Sequence, residues 1–247
     1  MELSEREKAH VRIMRAICEV IGAGNKPLVL KGGTALMLCY QIDRFSEDLD
    51  FDLSLELKTH LNLESICKDG LKKLNKQGEG IELSKFADFK KTDTTHRARA
   101  LFKLPGEKMP VSVKLEISAR RLPDPGVVQE LNGIKVYSID EIARLKLLAA
   151  QENPEMPYRT AARDMHDLAF IASEYEDELA DETISNLEVF FADTEALMMR
   201  YADAYKVDSI LNGRLYGDLD VIEKWNDSRG DDSNLSLFQP GVHERPP

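Results

Sequence analysis

The stretch LVLKGGTALMLCYQIDRFSEDLDFDLS, residues 28–54, decides how this chain folds. Leu28, Val29 and Leu30 form a short apolar run that reads as a buried strand. Lys31-Gly32-Gly33-Thr34 turns the chain, and Ala35 to Tyr40 reads as a helix. Asp48 to Leu53 then alternates strictly, with Leu49, Phe51 and Leu53 on one side and Asp48, Asp50 and Asp52 on the other. That is the period of a half-buried strand with an acidic face.

Carboxylates at i and i+2 on a strand point the same way, about 7 Å apart. Asp48 and Asp50 can therefore share one or two magnesium ions through hard oxygen ligands, and a metal pair can hold a nucleotide's phosphates and activate a hydroxyl. Gly32-Gly33, between a strand and a helix, lets a phosphate approach the backbone at free helix N–H groups. Ser46 adds a hydroxyl. Two acids on a strand are by themselves more often the wet face of a sheet edge; the glycine turn upstream favours the functional reading. Asp50-Phe51-Asp52-Leu53-Ser54 also fits the DxDx[ST] pattern of haloacid-dehalogenase-type phosphotransferases. Phe45-Ser46-Glu47-Asp48 is too polar for the apolar strand that precedes that nucleophile, so Asp48 and Asp50 are the preferred metal pair and Asp52 a bystander.

Working outward, residues 3–21 carry Val11, Ile13, Met14, Ile17, Cys18 and Ile21 at helical spacing, with Gly22 and Gly24 expected to end the helix. A second amphipathic helix is predicted over 61–76. Strands are predicted at 81–89, 97–104, 110–118 and 133–137, with turns at Pro105-Gly106 and Pro123-Asp124-Pro125-Gly126. Ser138 and Glu141 form a capping-box pattern that opens a helix to about Gln151. Asn153-Pro154 and Pro157 break it, a further helix covers 158–174, and helices continue past 181 to about 225. The order gives an α+β front and an all-α rear: a core over 1–137, a helical domain over 138–227 and a loose tail over 228–247.

The composition excludes several classes. No apolar run approaches the length needed to span a bilayer, and the charged, helical N-terminus is not a secretory signal. Cys18, Cys39 and Cys67 form no CxxC pair, and the five histidines are scattered, so neither a thiolate site nor a histidine site is expected. A cytoplasmic protein is expected. The net charge of −11 is unevenly spread: residues 173–247 hold 18 acidic and 6 basic residues, whereas 85–121 hold ten basic and four acidic ones. That basic segment, with Lys85, Lys90, Lys91, Arg97, Arg99, Lys103, Arg120 and Arg121, is a candidate RNA-facing surface, or else a solvated hairpin.

Lys31 to Leu36, followed by Arg44-Phe45-Ser46-Glu47-Asp48-Leu49-Asp50-Phe51, resembles the AbiEii/AbiGii family of bacterial toxins, which is grouped with the MenT toxins in the polymerase-β nucleotidyltransferase superfamily. Three later segments keep the family's order. Val111 to Ser118 alternates as a strand, and by resemblance Glu116 is the third metal carboxylate, with Lys114 beside it as a phosphate contact. Lys146 matches a helical lysine that reaches the triphosphate. Tyr158 to Leu168 is similar to the motif R-x-[KR]-D-x-x-D-L, which gives Asp167 a catalytic role and places Arg163 and Asp164 near the nucleotide. Each has a plain structural alternative: a surface Lys114/Glu116 pair, a solvated Lys146, and an i,i+4 ion pair between Arg163 and Asp167.

The resemblance implies a polymerase-β-type domain with a mixed sheet flanked by helices, followed by a helical half that completes the active site. It implies a two-ion magnesium site at Asp48, Asp50 and Glu116, with Lys31, Gly32, Gly33, Thr34, Ser46 and Lys146 holding an NTP. It further implies transfer of NMP to RNA, often the 3′ end of tRNA, blocked translation, and a cognate antitoxin in a type IV-like toxin–antitoxin or abortive-infection system active in phage defence. Two alternatives stand beside it: modification of a protein hydroxyl by AMP, and a nucleotide-binding protein without turnover.

Overall fold

The structure, a computed structural model, describes residues 2–53, 61–150 and 159–235. Ser54 of the phosphotransferase register, the helix breakers Asn153-Pro154 and Pro157, and residues 236–247 of the expected tail lie outside the described residues. The chain divides into two compact units, Met1–Ile142 and Ala143–Pro247.

The first unit is built on a seven-stranded mixed sheet in the order β3-β4-β5-β2-β1-β7-β6. Its strands are β1 (Leu28–Lys31), β2 (Asp48–Leu53), β3 (Glu82–Lys91), β4 (Thr95–Lys103), β5 (Val111–Ser118), β6 (Val128–Leu131) and β7 (Ile134–Tyr137). β2 runs antiparallel to β1 and parallel to β5, so the acidic strand lies in the middle of the sheet. Alternation explains its seat. Leu49, Phe51 and Leu53 are buried, as are Val111, Val113, Leu115 and Ile117 of β5. Helices α1 (Glu5–Ala23) and α3 (Leu63–Asn75) pack together, and α1 lies on β1, β5 and β7. Ile13, Met14, Ile17 and Ile21 supply the apolar stripe of α1.

Three local expectations are corrected. Gly24 caps α1 after Ala23 as expected, but Gly22 lies inside the helix and does not end it. Its missing side chain serves packing, because a Cβ there would lie 2.2 Å from the carbonyl oxygen of Gly133 in the β6–β7 turn. That turn belongs to a hairpin whose first strand, β6, the sequence reading leaves out; Asn132 and Gly133 have positive φ, 52° and 76°, as a two-residue hairpin turn needs. Helix α2 (Gly32–Cys39) starts at the glycines themselves rather than after them.

The second unit is helical, beginning within α4 (Ile139–Ala150) and continuing through α5 (Ala162–Glu174), α6 (Asp181–Phe191), α7 (Thr194–Val207) and α8 (Leu215–Leu235). Helix α8 runs past the expected end near residue 225. Its core holds Leu168, Ile171, Leu187, Phe191, Tyr201, Ile222 and Trp225. The α+β class with a mixed sheet and a helical rear is therefore what the chain adopts. No helix among the described residues is long and apolar enough to cross a membrane.

Candidate active site

Strand register assembles the carboxylates. On the parallel β2–β5 ladder Asp48 stands opposite Lys114, and Asp50 opposite Glu116. Cross-strand partners point to the same side of a sheet, so all four groups share the face away from the apolar core. Two cations on this face neutralise the flanking acids: Lys114 Nζ lies 3.1 Å from Asp48 Oδ2, and Arg97 of β4 lies 2.8 Å from Glu116. Asp50, between them, is half-buried. Burial, with the charges of Asp48 and Glu116 beside it, pushes its carboxyl up to about 6. Among the described residues no group of three or more His, Cys, Asp or Glu side chains converges closely enough, as placed, to hold a metal ion. The donor set nevertheless suits one. All three are hard oxygen ligands on adjacent strands, and a cation would relieve the carboxylate charge that adds to burial in raising Asp50.

The glycine turn sits beside this face. Gly32 has φ +72°, and a Cβ on it would stand 3.6 Å from Asp50 Oδ2. Gly33 has a different reason to be glycine: a Cβ there would lie 2.2 Å from Nη2 of Arg44, whose side chain is buried behind the turn. Thr34 and Ser46 are also turned inward. The Thr34 hydroxyl donates to the Asp48 carbonyl and lies 2.8 Å from Ser46 Oγ, which ties the start of α2 to the start of β2. Lys31 reaches Asp52, with Nζ 2.6 Å from Oδ1.

Asp52 is therefore not part of a wet face. It is buried, it accepts 3.0 Å from the Tyr137 hydroxyl, and it holds Lys31. Burial and the Asp52 charge push the Tyr137 hydroxyl far above its ordinary range. Tyr40 in turn donates to the Tyr137 carbonyl at 2.6 Å. Sequence reasoning gave no role to Arg44, Tyr40 or Tyr137. The only signal for Arg44 was its place in the R-x-S segment.

The basic segment is not one surface. Arg97 and Arg99 pair across to Glu116 and Lys114 on the carboxylate face. Lys91 pairs with His96 at the next register position, on the other face, where His96 Nε2 lies 2.7 Å from Asp88. Arg121 is held by the buried Glu141 at 3.0 Å, while Ser138 Oγ accepts from the Glu141 N–H as the cap pattern predicts.

The remaining expected residues lie in the second unit. Lys146 is buried and paired with Asp164 at 3.2 Å and with Asp167. Arg159 grips Asp164 through two hydrogen bonds of 2.8 and 2.7 Å. The i,i+4 pair between Arg163 and Asp167 does not form: Asp167 turns inward to Lys146, and Arg163 reaches Asp208 at 3.0 Å. So the structure brings together Asp48, Asp50, Glu116 and Lys114 in one group, Lys31 and Gly32 at its edge, and Lys146, Asp164 and Asp167 in another.

The family described as nucleotidyl transferase AbiEii toxin, type IV TA system, matches residues 12–229. The crystal structure of JHP933 from Helicobacter pylori superposes with a TM-score of 0.77 at 30% identity, over 96% of this chain and 100% of that one. A second H. pylori structure, provisionally assigned as a nucleotidyltransferase, gives 0.75 at 31% identity over 93% and 98%. No curated protein matches the chain.

Proposed function

This chain belongs to the AbiEii family of nucleotidyl transferase toxins of type IV toxin–antitoxin systems, and from that premise we propose that it transfers NMP from an NTP to RNA, with magnesium at the strand carboxylates and the 3′ end of tRNA as acceptor. The observation that carries this reading is the register that sets Asp50 beside Glu116, with Asp48 two residues earlier on the same face.

Asp48, Asp50 and Glu116 would hold the metal, which when bound supplies counter-charge for the triphosphate and lowers the pKa of the attacking hydroxyl. The chain's own groups do the rest. Gly32 leaves backbone room beside Asp50, and the N-terminal N–H groups of α2 meet phosphate oxygens. Thr34 and Ser46 pin that helix end to β2 and so fix where those N–H groups point. Lys31, braced on Asp52, adds positive charge at the same edge. Lys114 and Arg97 carry the charge that a phosphate entering the cleft needs. Lys146, Asp167, Arg163 and Asp164 are assigned nucleotide-handling roles on family resemblance. In the reaction, the acceptor's hydroxyl oxygen bonds to the α-phosphorus, the bond to the bridging oxygen of the β-phosphate breaks, pyrophosphate leaves, and the hydroxyl proton passes to solvent. Growth arrest through blocked translation, relief by a cognate antitoxin and a part in phage defence follow from the same reading.

The test is incubation of the purified protein with total RNA, Mg²⁺ and each NTP in turn, labelled at the α-phosphate, with Asp48→Ala alongside. Label on a tRNA-sized band, absent in the variant, is expected. No label on RNA with any NTP would remove RNA as the acceptor, and label on a protein band would point to a protein hydroxyl instead.

A further inference from the structure

The cleft beside the carboxylates has an aromatic wall. It measures about 190 Å³ and is bounded by Asp48, Asp50 and Glu116 on one side and by Phe89 and Arg99 on the other. Phe89 is 62% exposed and stands in the lining of this cleft. The Arg99 guanidinium lies over one face of the ring, 5.2 Å from its centroid, a cation–π contact that holds the ring in place.

The backbone presents this ring deliberately. On the β3–β4 ladder Asp88 pairs with Ala98 and Lys90 with Arg97, so Phe89 is the extra residue of a β-bulge and has no partner of its own. Bulges re-aim side chains and gather beside active sites. Here the bulge sets both Phe89 and Lys90 opposite Arg97, on the face that carries Glu116. An aromatic ring that shares its cleft with Arg97, Arg99 and Lys114, with Lys90 next to it in the bulge, has the composition of a platform for single-stranded nucleic acid: a π-face for a base and cations for its backbone.

We propose that Phe89 is the stacking platform for the terminal base of a single-stranded RNA acceptor. The proposal rests on the reading of the carboxylates as a nucleotidyl-transfer centre. Sheet order decides between the two substrates. Across the sheet the glycine turn follows β1, the carboxylates lie on β2 and β5, and the platform lies on β4 and β3. The turn is the phosphate-accepting edge, so the donor triphosphate occupies one flank of the carboxylates. The acceptor then approaches from the other, where its 3′ hydroxyl can meet the α-phosphorus in line. A ring stacks on the face of any base, and the cations beside it meet phosphates. The platform therefore selects an unpaired end rather than a sequence.

Two measurements on the full-length protein test this. Phe89→Trp places a reporter at the platform, with the wild type, whose one tryptophan is Trp225, as the blank. In EDTA, a short oligoadenylate is expected to quench the new emission to saturation, more weakly at high salt, whereas ATP at the same concentration leaves it unchanged. No response to oligoadenylate, or an equal response to ATP, overturns the proposal. In steady-state assays Phe89→Ala is expected to raise KM for an RNA with an unpaired 3′ end about 5- to 100-fold, the range of one lost base stack. KM for the NTP should hold, and Phe89→Trp should restore the wild-type value. A rise in KM for the NTP instead would give the ring to the donor base. Should the wild type label no RNA, the functional reading fails, and the oligoadenylate titration still decides the platform by itself.

Discussion

Gly33 and Arg44 occupy almost the same space: a Cβ on Gly33 would lie 2.2 Å from Arg44 Nη2. The second glycine of the turn is thus required by a buried guanidinium, which backs the start of α2. Gly33→Ala should force Arg44 from its seat at a cost of about 1–3 kcal/mol, as overpacking does. Thermal unfolding should show a drop of several degrees. Gly217→Ala in α8, where a Cβ meets nothing within 4 Å, should be neutral or slightly stabilising. Equal effects at the two positions would contradict the packing argument.

Asp50 is held at a cost to the metal-free fold. Its pKa is raised to about 6 by burial and by Asp48 and Glu116. The unfolded chain then binds fewer protons than the folded one between the ordinary carboxylate value and about 6, so stability falls as pH rises through that window. In EDTA at neutral pH, Asp50→Asn should stabilise the fold by about 3 kcal/mol and raise Tm accordingly. Added Mg²⁺ should stabilise the wild type and leave the variant nearly unchanged, while the variant loses transfer activity. A lower Tm for Asp50→Asn in EDTA would contradict the charge-cluster account.

Asp52, on the same strand, should behave in the opposite way. It is buried and engages both Lys31 and Tyr137. Asp52→Ala leaves a half-buried lysine unpaired and a buried hydroxyl without its acceptor, and should cost about 2–4 kcal/mol. Denaturant unfolding separates the two aspartates, since one variant gains stability and the other loses it.

Lys146 neutralises two buried acids, Asp164 and Asp167. Lys146→Met should destabilise the second unit by about 3–5 kcal/mol, the usual result of orphaning a buried charge. Amide hydrogen exchange should show the loss in α5 while the sheet of the first unit stays protected. Uniform loss across both units, or no loss, would contradict this.

Asp208 adds a pH-dependent contribution. Although burial alone would raise its pKa, the backbone N–H groups of Ile210 and Leu211 and the Arg163 guanidinium hold it below the usual value. A depressed carboxylate stabilises the fold above its unfolded pKa and loses that contribution as pH falls through its folded value. Asp208→Ala should therefore lower Tm at neutral pH, and its difference from wild type should shrink below about pH 4. A difference that persists unchanged in acid would assign the effect to shape rather than charge.

The central strand and its neighbours were legible because their signals are local. Alternation placed Leu49, Phe51 and Leu53 inward, and the turn at Lys31 to Thr34 marked the join of strand to helix. What was missed depends on pairing across the chain. Asp52 reads as one more outward acid until Tyr137 and Lys31 close over it. Gly22 reads as a helix stop until Gly133 packs against it. Arg163 and Asp167 have ideal spacing for an ion pair, yet Lys146 and Asp208 offer each a better partner. Phe89 owes its position to a bulge, and a bulge is set by the register of two strands rather than by either one. Of the candidate site, Asp48 and Asp50 came from alternation and Glu116 and Lys114 from resemblance; that Lys114 meets Asp48 and Arg97 meets Glu116 needed the β2–β5 and β4–β5 ladders.

The most direct test of the central claim compares one NTP labelled at its α-phosphate with the same NTP labelled at its γ-phosphate, each given with tRNA and Mg²⁺ to the wild-type protein. Transfer of a nucleotidyl group at the Asp48, Asp50 and Glu116 face predicts that only the α-label enters RNA, while the γ-label leaves in pyrophosphate, and that Asp48→Ala abolishes both. Appearance of the γ-label on RNA would mean phosphoryl transfer and would contradict the account.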